Sequence, residues 1–176
     1  FAEDASANPF LSRFCSDMSR YALATQLAFL AQRADLVHEI QVEGRFPTRI
    51  VADFLFEKDA LFSAINLEDN ERALYQKIAP RVLPHYPIPD LVIYLQESQE
   101  TLLERTAARI KRGEMSLPEV YLKKVHAAYS EFFHQYNKAP LLIVNTDHLN
   151  FSENPEDFEL LLRCISAVSY THLTLP

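Results

Sequence analysis

The chain has 176 residues, with 17 Lys and Arg against 24 Asp and Glu for a net charge of −7, and it is 48% hydrophobic and 23% charged. That length and mixture suit one globular domain with a real core and exclude a disordered tail. The acidic balance excludes a non-specific binder of nucleic acid or of an anionic membrane, since both need a basic field.

Only 2 glycines occur, and neither Gly44 nor Gly113 stands in a GxxxxGK(S/T) or GxGxxG pattern, so these residues hold no phosphate-cradling loop. Cys15 and Cys164 are isolated, without CxxC or Cys/His spacing. They predict a reducing, cytosolic setting and neither a disulfide framework nor a zinc site. No apolar run approaches ~18 residues and the start lacks a signal-peptide layout, so no membrane partner is expected. Phe1 is followed at once by small and acidic residues, which reads as a sequence beginning inside an element.

In chain order, the spacing predicts one helix from Pro9 to about Leu36, capped by Asn8 and bent near Asp17, with Leu11, Phe14, Met18, Tyr21, Ala22 and Leu30 on its apolar face. Three short apolar runs, Ile50 to Phe56, Leu91 to Leu95 and Leu141 to Val144, read as parallel strands covered on both faces. Between them lie helical patterns. One runs from Leu67 to about Ala79 and gives way to Pro84, Pro87 and Pro89. A second is capped by Ser98 and closed by Gly113. A third opens on Ser116 with Glu119 as a capping box and stops at Asn137 and Pro140. A last helix spans about Pro155 to Ile165. Strands alternating with helices mean an α/β layer fold. The tail from Ser169 to Pro176 loses the helical period and reads as a non-native appendage, leaving 1–168 as the domain.

Four groups of residues carry possible chemistry. Gln26 and Arg33 are seven positions apart, on nearly one helix face and about 10.5 Å apart along it. An amide and a rigid donor fork suit the edge of a nucleobase; the bland alternative is two solvated side chains. The stretch from Tyr21 to Leu30 is too apolar for a free surface helix. Asp53 interrupts an apolar run at its carboxyl end, where open α/β sheets bind ligands, and Glu3 is a similar candidate for a base. Arg105, Arg109, Lys111 and Arg112 form a basic cluster able to hold phosphate oxygens, although cations near a helix C-terminus are favourable in any case. Glu114, just past that terminus, meets an unfavourable dipole and needs an arginine or a ligand hydroxyl. The 6 histidines show no metal spacing, and there is no GxSxG elbow.

Taken together the residues resemble the bacterial deoxynucleoside kinases of the deoxyadenosine/deoxyguanosine kinase type. The match runs through Glu3 with Asn8-Pro9-Phe10-Leu11, Arg20-Tyr21-Ala22, Thr25-Gln26 and Gln32-Arg33. It continues in Asp53-Phe54-Leu55-Phe56-Glu57-Lys58-Asp59, Asn66-Leu67, Glu71, Leu74-Tyr75 and Pro89-Asp90-Leu91-Val92-Ile93-Tyr94-Leu95. Leu103-Glu104-Arg105, Glu114, Tyr121-Leu122, Ala128-Tyr129, Pro140 to Asn145 and Pro155-Glu156-Asp157-Phe158 complete it.

The resemblance implies a P-loop-kinase-like parallel sheet flanked by helices, and ATP-dependent phosphorylation of a deoxynucleoside, purine by expectation, at its 5′-hydroxyl. It implies ATP and Mg²⁺ as cofactors of the complete protein and a cytoplasmic homodimer. Glu3 would be the base, Gln26 and Arg33 would hold the base edge, and Asp53 would support Arg33 or the base. Glu114 would contact the sugar 3′-hydroxyl. Arg105 and Arg109 would act from a lid at about 105–118.

Four departures accompany it. The family's first strand and ATP loop would precede Phe1, so the chain as it stands is expected to be inactive alone. Cys15 replaces a tyrosine, Arg109-Ile110-Lys111 replaces Arg-Gly-Arg, and Pro47-Thr48-Arg49 replaces an acidic-Arg-Ser motif, so no metal ligand carries over. A thymidylate-kinase-like nucleoside monophosphate kinase and a non-catalytic nucleoside-binding module are the alternatives.

Overall fold

The computed structural model describes residues 1–43, 49–112, 115–151 and 153–173. They form two compact units, one of Phe1–Pro87 with Met115–Ala128, the other of Ile88–Glu114 with Tyr129–Pro176. Gly44, Gly113, Glu114 and the Pro47-Thr48 pair lie outside the described residues.

The first unit is mainly helical. After a 3-10 turn at Ala5–Ala7 come α1, Leu11–Ser16, and α2, Met18–Glu43. The bend expected near Asp17 is a break: Asp17 has φ −148° and ψ 86°, and its carboxylate accepts from Arg20 N at 3.2 Å, restarting the helix. Asn8 is not the cap. The first helix opens at Phe10, and the buried Asn8 amide instead donates to Thr25 O at 3.0 Å while its oxygen accepts from Phe10 N at 3.1 Å. A polar side chain sealed in this way must find both partners inside, and here it ties the entry segment to the middle of α2.

Ile50 to Phe56 does not form the expected strand. Phe1 N donates to Val51 O at 2.7 Å and Asp53 N to Phe1 O at 3.2 Å. Two bonds around a single residue are the start of a parallel ladder but too few to make a strand. The run then turns at once into α3, Lys58–Asn66, a helix that the apolar continuity of the sequence concealed. α4, Asp69–Val82, follows, with Pro80 in its last turn.

Phe14, Ala22, Leu30, Leu67 and Tyr75 form the principal core, and Val37, Ile40, Phe54 and Phe56 a second cluster. Leu30 and Tyr75 are each 2% exposed; full burial of a side chain such as Leu30 contributes roughly 1.5–3 kcal/mol.

The second unit holds the sheet. β1, Val92–Gln96, and β2, Leu141–Asn145, pair in parallel from Val92 opposite Leu141 to Gln96 opposite Asn145. Val92 N to Pro140 O at 2.8 Å and Thr146 N to Gln96 O at 2.7 Å extend the ladder at both ends. Two strands are described rather than three, and Ile93 and Leu95 remain exposed, so β1 is covered on one face only. That covering is aromatic: Tyr94 stacks on Phe133 at 4.1 Å between ring centroids.

α5, Gln99–Lys111, begins as expected, with Ser98 Oγ accepting from Thr101 N. α6, Glu119–His134, starts later than its expected box: Leu122 N bonds Pro118 O, so Pro118 rather than Ser116 stands at the cap. Its first part belongs to the first unit, where Tyr121 packs edge-on against Phe14 at 6.0 Å. α7, Pro155–Leu173, continues past Ile165. Among the described residues no helix is long and apolar enough to cross a membrane.

Candidate active site

The inward face of α2 carries Ala22, Gln26, Leu30, Arg33, Val37 and Ile40, all buried and spaced by three or four residues. Two of the six are polar, and both are nearly inaccessible: Gln26 is 3% exposed and Arg33 4%. A helix face that takes an amide and a guanidinium out of water requires partners for them, because an unpaired buried charge is very costly.

The partner is Asp59, in the first turn of α3. Its Oδ1 accepts from Gln26 Nε2 at 3.0 Å and from Arg33 Nη1 at 2.5 Å, and its backbone carbonyl takes a second bond from Gln26 Nε2 at 3.1 Å. Its other oxygen, Oδ2, accepts from the Tyr75 hydroxyl at 2.6 Å. A single carboxylate from α3 thus joins two residues of α2 that are two turns apart to a buried tyrosine of α4.

Arg33 also reaches Glu3. Its Nε donates to Glu3 Oε1 at 2.8 Å, giving one guanidinium two carboxylates. The Phe29 ring lies 5.6 Å from the guanidinium carbon, a cation–π contact that further confines it. Glu3 is held from the backbone as well, its N–H donating to Asp53 Oδ1 at 2.9 Å. Glu3, Gln26 and Arg33 are therefore brought together. Asp53 touches Glu3 through the main chain, and the acids against Arg33 are Glu3 and Asp59.

Lys58, beside Asp59 in sequence, adds charge to this cluster. Burial pushes its ammonium below the ordinary lysine range, Glu3 and Asp53 oppose that shift and Arg33 adds to it. Burial likewise pushes the Tyr75 phenol well above its usual value, and the bond to Asp59 acts in the same direction. Tyr75 is therefore a permanent donor at any working pH.

Asp59, Tyr75 and Lys58 received no role in the sequence reading. The available signal was the mixed polar and apolar face of α2, which called for a buried acid; it could not say that the acid stands six residues beyond Asp53.

The basic cluster belongs to the second unit. Arg105 Nη1 bonds Glu97 Oε2 at 2.8 Å and Thr146 Oγ1 at 3.3 Å, and Nη2 bonds the carbonyls of Thr146 at 2.6 Å and Leu149 at 3.3 Å. Its planar fork fastens the turn after β2 to the end of β1. Arg109 is exposed in the last turn of α5. Among the described residues no group of three or more His, Cys, Asp or Glu is arranged to hold a metal ion.

The deoxynucleoside kinase family model matches residues 1–168. The chain is 27% identical over 168 residues to a deoxyadenosine kinase of Lactobacillus acidophilus, covering 88% of this chain and 76% of that one. It is 25% identical over 159 residues to a deoxyguanosine kinase of Bacillus subtilis, with 86% and 76% covered. A deoxyadenosine/deoxycytidine kinase of the same organism is 23% identical over 174 residues, with 94% and 79% covered. In fold the chain is similar to the deoxyadenosine kinase from M. mycoides with bound dATP, at a TM-score of 0.78, 21% identity and coverage of 94% and 85%. The α/β fold with its parallel strand pair agrees with that likeness, and the family match covers both the Glu3, Gln26, Arg33 and Asp59 cluster and the second unit. The chain belongs to the deoxynucleoside kinase family of phosphotransferases.

Proposed function

We propose that this chain binds a purine deoxynucleoside and serves the transfer of the γ-phosphate of ATP, as its Mg²⁺ complex, to the 5′-hydroxyl. The observation that carries this reading is the single carboxylate oxygen, Asp59 Oδ1, that gathers Gln26 and Arg33 beside Glu3. Gln26 and Arg33 hold the base edge and Asp59 orients them. Arg33 takes one oxygen of Glu3, which leaves the other to accept the hydroxyl proton. Phosphoryl transfer asks little covalent work of a protein, so fixed orientation and charge placement are what such a cluster supplies.

The names of the relatives support purine: two that match over most of this chain act on deoxyadenosine or deoxyguanosine. The roles that the family resemblance implies for Glu114, at the sugar 3′-hydroxyl, and for Arg105 and Arg109, in a lid at about 105–118, are part of the same proposal. Arg105 braces its own unit through Thr146 and Leu149, and Arg109 approaches phosphate oxygens. Asp53 supports the base site through Glu3. We also take the protein to be a cytoplasmic homodimer; both cysteines are free thiols, as a reducing compartment keeps them, and sedimentation velocity measures the association.

The test reads binding, because the 176 residues contain no glycine-rich ATP loop. Calorimetric titration of the chain with deoxyadenosine, deoxyguanosine and dTMP should show saturable binding of a purine deoxynucleoside and little of the nucleotide. Gln26→Ala should weaken it about tenfold, the loss of a hydrogen-bonding group at a buried polar edge. Unchanged affinity in Gln26→Ala, or tighter binding of dTMP, overturns the assignment.

A further inference from the structure

We propose that Tyr75 is a positioning residue that sets base selectivity, by fixing the Asp59 carboxylate that in turn holds the Gln26 amide in one orientation. The inference rests on the nucleoside-binding reading above and goes beyond it, because Tyr75 acts on the amide through the Asp59 carboxylate it holds and through its own contact with the Gln26 side chain.

The geometry is specific about the amide. A glutamine side chain ends in an acceptor and a two-proton donor that are similar in shape, and a free one can exchange them by rotation. Here the Tyr75 hydroxyl bonds the Gln26 side chain, and the two Asp59 groups that Nε2 meets, the carbonyl and Oδ1, are pure acceptors, at 3.1 and 3.0 Å. Only the NH₂ end satisfies them, so Nε2 is committed to Asp59 and Oε1 is the atom turned elsewhere.

The amide stays locked only while Asp59 stays still. Oδ1 is shared by Gln26 and Arg33, and Oδ2 is held by the Tyr75 hydroxyl at 2.6 Å. Tyr75 is 2% exposed and packed in the main core, so it provides a fixed anchor. Without that anchor the carboxylate can turn about its last torsion and present its oxygens differently, which frees the amide to turn with it. The elevated phenol pKa keeps the donor present throughout.

The consequence falls on the nucleobase. On the edge that carries N1, a 6-amino purine presents an exocyclic donor beside a ring acceptor, and a 6-oxo purine presents an exocyclic acceptor beside a ring donor. A glutamine that can flip reads both edges; one that is locked reads one of them, and the mismatched base leaves a buried polar group unpaired. Specificity is then a difference of affinities enforced by an immobile amide.

The experiment compares deoxyadenosine and deoxyguanosine by calorimetry on the wild-type chain, Tyr75→Phe and Gln26→Ala, with the folded state of each checked by circular dichroism. The wild type should separate the two bases by at least about fivefold, and Tyr75→Phe, which keeps the ring packing, should bring the ratio to within about twofold of one. A structural role alone would weaken both bases equally. In ¹⁵N spectra of the wild type the Gln26 side-chain NH₂ should exchange slowly, at least about tenfold slower than that of exposed Gln99, and should speed up in Tyr75→Phe. A wild-type ratio near one, a ratio unmoved by Tyr75→Phe, or a fast-exchanging Gln26 amide in the wild type overturns the inference. The last measurement decides even if the variant fails to fold. Loss of binding in Gln26→Ala combined with an unmoved ratio in Tyr75→Phe sinks this inference alone. Unchanged binding in Gln26→Ala sinks the nucleoside site itself.

Discussion

Replacing Asp59 by alanine should be among the most damaging single changes in the first unit, and the structure says by how much. The substitution removes one carboxylate and strands three donors: Arg33 Nη1, the Tyr75 hydroxyl and one N–H of Gln26. All three parent residues are 4% exposed or less, so water cannot replace the lost acceptor without opening the core. Arg33 keeps Glu3, so losing one of its two carboxylates costs less than the about 3–5 kcal/mol of a fully broken buried pair, about 2–3 kcal/mol, and each stranded neutral donor costs about 1–3 kcal/mol before relaxation. Relaxation of Gln26 and Tyr75 returns part of the second cost, so a net loss of about 4–6 kcal/mol is expected. Against the 5–15 kcal/mol typical of a domain, that is a large share of the whole. At roughly 2–4 °C per kcal/mol for a chain of this size, Tm should fall by about 8–24 °C. Asp53→Ala is the internal control. Asp53 is exposed and accepts one bond, from Glu3 N, so its loss should cost about 1 kcal/mol or less. Urea titration of both variants by circular dichroism gives the two values. Equal costs, or an Asp59→Ala loss below about 1 kcal/mol, would refute the view that Asp59 is the keystone of a buried network.

Three further outcomes are expected. Asp147 is held below the usual carboxylate range chiefly by the backbone N–H of Ser98, which donates to it at 2.6 Å. Its contribution to stability is therefore complete above the ordinary value of 3.8 and is lost as pH falls through the lower folded value; the Ser98 amide resonance should titrate in that acid window, and Asp147→Asn should abolish the transition. Ser98→Ala removes the side-chain cap of α5 and should cost about 0.5–2 kcal/mol in urea denaturation, leaving purine nucleoside affinity unchanged. Phe133→Ala opens the stacked pair with Tyr94, 6% and 8% exposed respectively, and should cost about 3–5 kcal/mol, while Phe133→Leu should cost clearly less.

The local code was readable where one element decides the outcome. Ser98 caps α5 because its hydroxyl competes well for an orphan N–H three residues on, and the apolar β-branched runs at Leu91 and Leu141 form strands for reasons already present in their composition. The α2 face with Gln26 and Arg33 was legible from helical spacing only in combination with the apolar stretch from Tyr21 to Leu30; spacing alone suits two solvated side chains equally. Asn8 and the Ile50 run have strong local propensities that tertiary partners override: Asn8 spends its amide on Thr25, while Asp53 of the run takes the Glu3 backbone and Phe54 and Phe56 enter the second core cluster; at Ser116 the helix instead opens two residues later, at Pro118.

By itself, then, the sequence determined the α/β class, the family, and the two polar residues that one helix face must turn inward. Only the tertiary structure decided which acid meets them. Asp53 and Asp59 have the same side chain and stand six residues apart, and sequence spacing cannot weigh them, because a carboxylate is bound to a buried guanidinium by distance and desolvation rather than by position in the chain. The turn into α3 carries Asp59 to Arg33 and Tyr75 and leaves Asp53 in solvent beside the Glu3 backbone.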